Sequence, residues 1–249
     1  MTTKPTPKSR PHSDGYGLTV LPDPPKPPDA MKQRPHIARM DQVLRAHFAH
    51  RPNVLVSGEG YLCDVAGNAR SSPNPDLLVS FGLDIPPDVI EDVANGYTIS
   101  EVGKPPEFVL EVASETTARR DETVKRDIYA GFGISEYWRF DRTGGRYYVA
   151  ALAGDMLVNS AYQPIPLETG DDGIIRGYSP ALDLELHWQD RRLRFWNPAT
   201  QIYLPDLIEA LGALATSRSE LAAERAARQA AEEEIRRLRA ELERQSDRG

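Results

Sequence analysis

Cysteine is almost missing from this chain: Cys63 is the only one among 249 residues. That excludes an intramolecular disulfide and any zinc site built on several thiolates, and it fits a reducing compartment, so the expected location is the cytoplasm. Cys63 itself reads as a small buried apolar residue. Long apolar runs are absent too. None approaches the roughly eighteen residues that a membrane span needs, and MTTKPTPKSRPHSDG has no apolar stretch of the signal-peptide kind, so no membrane attachment is expected. No GxxxxGK[ST] phosphate loop, GxSxG elbow, HExxH or CxxC occurs, and His12, His36, His47, His50 and His187 show no zinc-like spacing. What remains is oxygen chemistry: carboxylates, a lysine and a hard metal.

Charge is present but unevenly spread. Residues 36–213 hold sixteen Lys/Arg against twenty-six Asp/Glu, a net charge of −10, whereas residues 214–249 hold eight of each. An acidic centre disfavours non-specific attachment to nucleic acid, whose affinity comes mainly from cations that neutralise phosphates.

Nine of the twenty-one prolines fall in residues 1–35, which read as a disordered, polyproline-like leader. HIARMDQVLRAHFAH, residues 36–50, places Ile37, Met40, Val43, Leu44, His47 and Phe48 on one helical face and is expected to open the folded domain. Strands are expected at 54–57, 60–65, 77–81, 107–113 and 136–140, with 146–152 as the hairpin partner of the last across RTGG, and later β pieces at 156–162, 181–187 and 193–196. Between Ser114 and Gly131 the period turns helical, with Asp121 as a candidate N-cap. From about Pro205 the chain reads as helix. Leu214, Leu221, Arg228, Ile235 and Leu242 recur every seven residues, and three of the accompanying five, Ser217, Glu224, Ala231, Leu238 and Gln245, are polar, the pattern of a weak coiled coil.

Two carboxylates stand out. Asp76, after Pro75 in SSPNPDLLVS, reads either as a polar strand start or as a ligand. Glu111 interrupts FVLEVA, a run apolar on both faces, where an ionised carboxylate costs several kcal/mol unless paired. Lys125 lies on the helix that follows and is either an ordinary surface lysine or the cation Glu111 needs, with Tyr129 on the same face. Carboxylates at strand ends bind Mg²⁺ or Mn²⁺, and a lysine beside them can offset charge developing on phosphate.

The run GKPPEFVLEVASETTARRDETVKRDIYAGFGISEYWRFD, with PDLLVS before it and SPALDLEL and RLRFWNPATQIYL after it, resembles the Uma-two family, restriction-endonuclease-like proteins of the PD-(D/E)xK nuclease superfamily. The resemblance covers about residues 35–210. It implies an α/β, restriction-endonuclease-like fold, a central mixed β-sheet flanked by helices, with residues 1–35 as leader, 36–210 as nuclease domain and 211–249 as a charged helical tail. It also implies that Asp76 and Glu111, with the Val112 backbone carbonyl, hold Mg²⁺ or Mn²⁺. The lysine that the superfamily carries two residues after the second acid is replaced by Ala113, and Lys125 matches the migrated lysine of this branch. Asp121, Tyr129, Arg119 and Arg120 are supporting candidates, Asp121 for orientation. Tyr137 is expected in the core, and Arg126 beside Arg119 and Arg120 as a basic lip. The superfamily's acid on the first helix has no clear counterpart, Asp41 being the one carboxylate there.

The implied activity is metal-dependent hydrolysis of DNA phosphodiester bonds; the heptad pattern of the tail, for its part, reads either as self-association or as a lone solvated helix. The competing expectation is a non-catalytic, nuclease-like binding or assembly module acting through leader and tail.

Overall fold

The computed structural model describes residues 15–24 and 30–246; the proline-rich reading of 1–14 and 25–29 lies outside the described residues. Six strands form the central mixed sheet: β1 (Leu55–Ser57), β3 (Leu77–Ser80), β5 (Phe108–Val112), β6 (Glu136–Phe140), β7 (Leu152–Val158) and β8 (Ala161–Pro164), hydrogen-bonded in that order. β5 and β6 run parallel and the other neighbours antiparallel. β2 (Tyr61–Cys63) and β4 (Gly96–Thr98) make a small parallel pair. A second, antiparallel sheet joins β9 (Glu168–Thr169), β10 (Ile175–Ser179), β11 (Leu184–Gln189), β12 (Arg192–Asn197) and β13 (Ile202–Tyr203).

β5 is buried on both faces, as a run apolar on either side of Glu111 requires. Phe108, Leu110 and Val112 face one core, shared with the first helix (Ala30–Phe48) and the second sheet; Val109 faces another, shared with Tyr129, Tyr137 and the 83–102 segment. Trp138 joins the two sheets. A Cβ at Gly154 would come within 2.9 Å of its ring and one at Gly177 within 2.8 Å, so both positions must stay bare for the indole to lie between them. Its Nε1 donates to Glu136, whose carboxylate also accepts from Ser179 Oγ and the Ala181 amide.

Ile37, Met40, Val43, Leu44 and Phe48 bury the expected helical face, with His47 half-buried and edge-on to Phe48. The helix itself begins at Ala30, six residues before the expected start, and carries Pro35 inside it. Part of the expected leader is also ordered against the domain: Leu18 and Leu21 are buried, and Thr19 bonds Glu101 through both its amide and its hydroxyl. The antiparallel partner of β6 is 152–158, and not 146–152. The expected strand 156–162 contains a turn, Asn159–Ser160, with φ of 50° and 65°; such a two-residue, left-handed turn joins β7 to β8.

The chain divides after Leu204. Taken by itself, the second part is a 40-residue helix, Leu207–Ser246, opened by a reciprocal cap in which Asp206 and Glu209 each accept the other's amide. Leu214, Leu221, Ile235 and Leu238 are all more than 45% exposed along it. No helix among the described residues is long and apolar enough to cross a membrane.

Candidate active site

In the antiparallel register of β3 and β5, Leu77 sits opposite Leu110. One step further, Asp76 stands opposite Glu111, and residues directly opposed in a sheet face the same side. The Val112 amide donates to Asp76 Oδ2 at 2.7 Å and fixes that carboxylate beside the strand end. Gly58 supports the arrangement from behind, since a Cβ there would lie 2.2 Å from the Asp76 carbonyl oxygen.

The helical run 118–131 crosses above. It begins at Ala118 after Thr117, widens to a π turn over Asp121–Lys125 and tightens again over Arg126–Gly131. In a regular helix, residues four apart drift by about 40° because a turn takes 3.6 residues. The wider turn takes back part of that drift, so Asp121, Lys125 and Tyr129 all reach the sheet. Lys125 Nζ lies 2.8 Å from Glu111 Oε2 and 2.9 Å from Asp121 Oδ1, and the Tyr129 hydroxyl donates to Glu111 Oε1 at 2.6 Å. Asp121 is therefore not an N-cap: its carboxylate points inward, where Oδ2 accepts from Thr117 Oγ1 and the Tyr148 hydroxyl. The Tyr137 hydroxyl donates to the Asp121 carbonyl. Asp121, Tyr129 and Tyr137 are all fully buried.

Electrostatics follows from this crowding. Burial, reinforced by the Glu111 charge, holds the half-buried Asp76 well above the usual carboxylate range. Burial likewise pushes Glu111 up to about 7 against the pull of Lys125. Burial disfavours the Lys125 ammonium, but the Glu111 and Asp121 carboxylates outweigh it and raise its pKa. Lys125 thus stays protonated at neutral pH, which suits it to offset negative charge and not to accept a proton.

The family model of Uma2, described as "Putative restriction endonuclease", matches residues 25–187. The chain belongs to the Uma2 family. A search of curated proteins finds no match.

Four residues of this Uma2 site were not singled out in the sequence. Gln33, 3% exposed, reaches from the first helix and donates to the Val112 carbonyl at 2.5 Å, beside Asp76. Asp41, the one carboxylate expected on this helix, pairs instead with Arg45, which also bonds Glu91. Thr117 and Tyr148 hold Asp121, and Gly58 backs Asp76. Tyr148 is itself placed by Asp141, a buried carboxylate that accepts from the amides of Thr143, Tyr147 and Tyr148 and from Thr143 Oγ1. A polar run such as DRTGGRYY carries no periodicity that would announce this loop. Arg119 and Arg120 are exposed on the helix, while Arg126 is drawn to Asp155 at 3.0 Å and to the Tyr162 carbonyl.

Asp76 and Gln33 line an open cleft of about 460 Å³ together with Ser57, Gly58, Glu59 and Asn74. Glu111 and Lys125 are not among its lining residues and are 2% and 7% exposed. Among the described residues, no three His, Cys, Asp or Glu side chains are grouped to hold a metal. The donors present, two carboxylates that repel each other and the Val112 carbonyl, are oxygens only. They fit a hard divalent ion that leaves several coordination positions to water and substrate.

Proposed function

We propose that this chain is a metal-dependent endonuclease that hydrolyses DNA phosphodiester bonds. Membership in a family of restriction-endonuclease-like proteins supports the reaction class. One observation carries the assignment of residues: two opposed carboxylates at a strand end, Asp76 and Glu111, with the ammonium of Lys125 brought to 2.8 Å from the second.

In this reading Asp76, Glu111 and the Val112 carbonyl hold Mg²⁺ or Mn²⁺, whose chemistry when bound is to offset phosphate charge and acidify water. Lys125 stays an ammonium and orients the attacking water while balancing the charge that develops on the phosphoryl oxygens. Tyr129 fixes the rotamer of Glu111. Asp121, held by Thr117 and Tyr148, fixes that of Lys125. Gln33 holds the Val112 carbonyl in place, and Arg119 and Arg120 remain available to phosphates from the start of the helix. The tail supports self-association through its repeated leucines, which light scattering before and after removal of residues 207–249 tests.

Incubating the purified chain with single- and double-stranded DNA and RNA, in Mg²⁺, Mn²⁺ or chelator, tests the activity. Metal-dependent cleavage of DNA that disappears in Lys125→Ala is the expected result. Full activity of Asp76→Ala would falsify the assignment, and absence of any cleavage with intact metal binding would favour a binding module.

A further inference from the structure

The central region is acidic, yet one end of the central sheet gathers cations. Val112 and Phe140 are register partners on the parallel strands β5 and β6, so the chain leaving β6 rises one strand away from the site. His36, one turn along the first helix from Gln33, lies against Phe140 with ring centroids 5.7 Å apart. Arg142 follows two residues after Phe140, and Arg39 one helical turn after His36. The tip of the β11–β12 hairpin completes the group: Asp190 and Arg191 form its two-residue turn with φ of 49° and 63°, and Arg192 opens β12. This tip is pinned to the β6 end by two bonds, Arg191 Nε to the Arg142 carbonyl at 3.4 Å and Trp188 Nε1 to the Asp141 carbonyl at 2.9 Å.

Four guanidiniums therefore converge on His36. Burial and then Arg142, Arg39, Arg192 and Arg191, in that order, depress its pKa to about 4, so the imidazole adds no charge of its own at neutral pH. Arg191 and Arg192 are exposed, whereas Arg142 is half-buried and its Nε is buried with no hydrogen-bond partner among the described residues. Gathering like charges raises the local potential and costs stability unless an anion is to be met there. The β6 end that Arg142 follows lies one strand from the β5 end where the Val112 amide bonds Asp76, and the cleft at Asp76 is itself lined by Asp23, Glu59 and Glu91 and offers a phosphate chain little attraction.

We propose that Arg39, Arg142, Arg191 and Arg192 form the surface that grips the sugar–phosphate backbone of the nucleic acid and leads it to Asp76 and Glu111. This rests on the nuclease reading above and deepens it. It adds to Arg119 and Arg120 a second basic surface at a junction of three elements distant in sequence, in place of Arg126, which is drawn to Asp155. Guanidiniums suit the task because their planar fork meets phosphate oxygens two at a time.

The test is binding of a fluorescent DNA duplex in chelator, by anisotropy over a range of KCl, to the full chain and to an Arg191→Gln/Arg192→Gln variant. Each phosphate contact contributes about 0.9 to the slope of log K against log salt. The double variant should lower that slope by about 2 and weaken binding roughly tenfold or more near 0.1 M salt. An Arg225→Gln/Arg228→Gln variant in the tail controls for loss of charge alone, and an unchanged melting temperature shows that the fold persists. Equal slope and affinity for the Arg191/Arg192 variant and the wild type would overturn the proposal, as would a wild type that binds no nucleic acid. The two readings fail separately. Cleavage by a wild type whose duplex binding ignores these arginines defeats the surface alone; arginine-dependent binding with no cleavage in Mg²⁺ or Mn²⁺ defeats the nuclease reading alone.

Discussion

Lys125 and Glu111 meet 2.8 Å apart in a site that leaves the lysine side chain 9% and the glutamate side chain 2% exposed. The carboxylate that interrupts an apolar strand is thereby paid for by an ammonium from the next helix. Replacing Lys125 by Met leaves Glu111 and Asp121 without their cation, a loss of about 3–5 kcal/mol for a broken buried pair. For a chain of this size, that lowers the melting temperature by about 6–20 °C. The sign with pH is fixed by the raised pKa of Glu111: folding takes up a proton there, so the deficit is larger at pH 9 than at pH 6, where protons replace the ammonium. Calorimetry at the two pH values reads it, and a pH-independent deficit would contradict the pairing.

Asp76→Asn separates stability from activity. Asparagine still accepts the Val112 amide but removes a charge that burial and Glu111 both oppose. In chelator the variant should melt a few degrees above the wild type, at about 2–4 °C per kcal/mol, while hydrolysis is lost. A lower melting temperature would mean that the carboxylate is stabilising as it stands.

Gly58→Ala probes the backing of Asp76. A methyl group 2.2 Å from a backbone oxygen has to push it, and a displacement approaching 1 Å at a catalytic carboxylate costs on the order of 10²-fold in rate. If Asp76 holds the metal as proposed, single-turnover cleavage measures this. Retention of the wild-type rate would place Asp76 outside the chemistry.

Tyr148→Phe keeps the ring and removes the hydroxyl that Asp121 accepts. If Asp121 and Tyr148 act by orienting Lys125, kcat should fall several-fold with KM unchanged, and the folded state should lose about 1–3 kcal/mol for the lost buried partner. A change confined to KM would assign Tyr148 to substrate contact.

Asp155 gives a pH test away from the site. Although burial opposes its charge, Arg126 and Arg139 hold its carboxyl below the ordinary value of 3.8. Its stabilising contribution is therefore complete above about pH 4 and disappears as pH falls through the depressed folded value. The stability difference between wild type and Asp155→Asn should be constant near neutrality and shrink below about pH 4 in acid-unfolding experiments.

The strand carrying Glu111, the helix carrying Lys125 and the amphipathic face of the first helix were readable because apolar periodicity marks burial directly. What escaped lacked such a mark. Gln33 falls within the expected leader because residues 1–35 are rich in proline and lack apolar periodicity; the helix nonetheless starts at Ala30 and runs through Pro35. The β7–β8 and β11–β12 turns use Asn159–Ser160 and Asp190–Arg191 without glycine, so two hairpins were hidden. The inward turn of Asp121 depends on a π widening that no residue pattern signals. Asp121 therefore looked like a cap when it was a core partner.

Leu18 and Leu21 bear on where this protein can be cut. They are 1% and 3% exposed, and the Leu21 amide donates to the Ala94 carbonyl at 2.8 Å. A fragment trimmed to the family boundary at residue 25 would strip two leucines from the cores holding Tyr97 and Tyr61 and bare apolar surface beside the cleft. Such a fragment should clump or lose yield where one begun before residue 15 does not. The part needed for a stable fold thus begins upstream of residue 25, where the match to the family model starts.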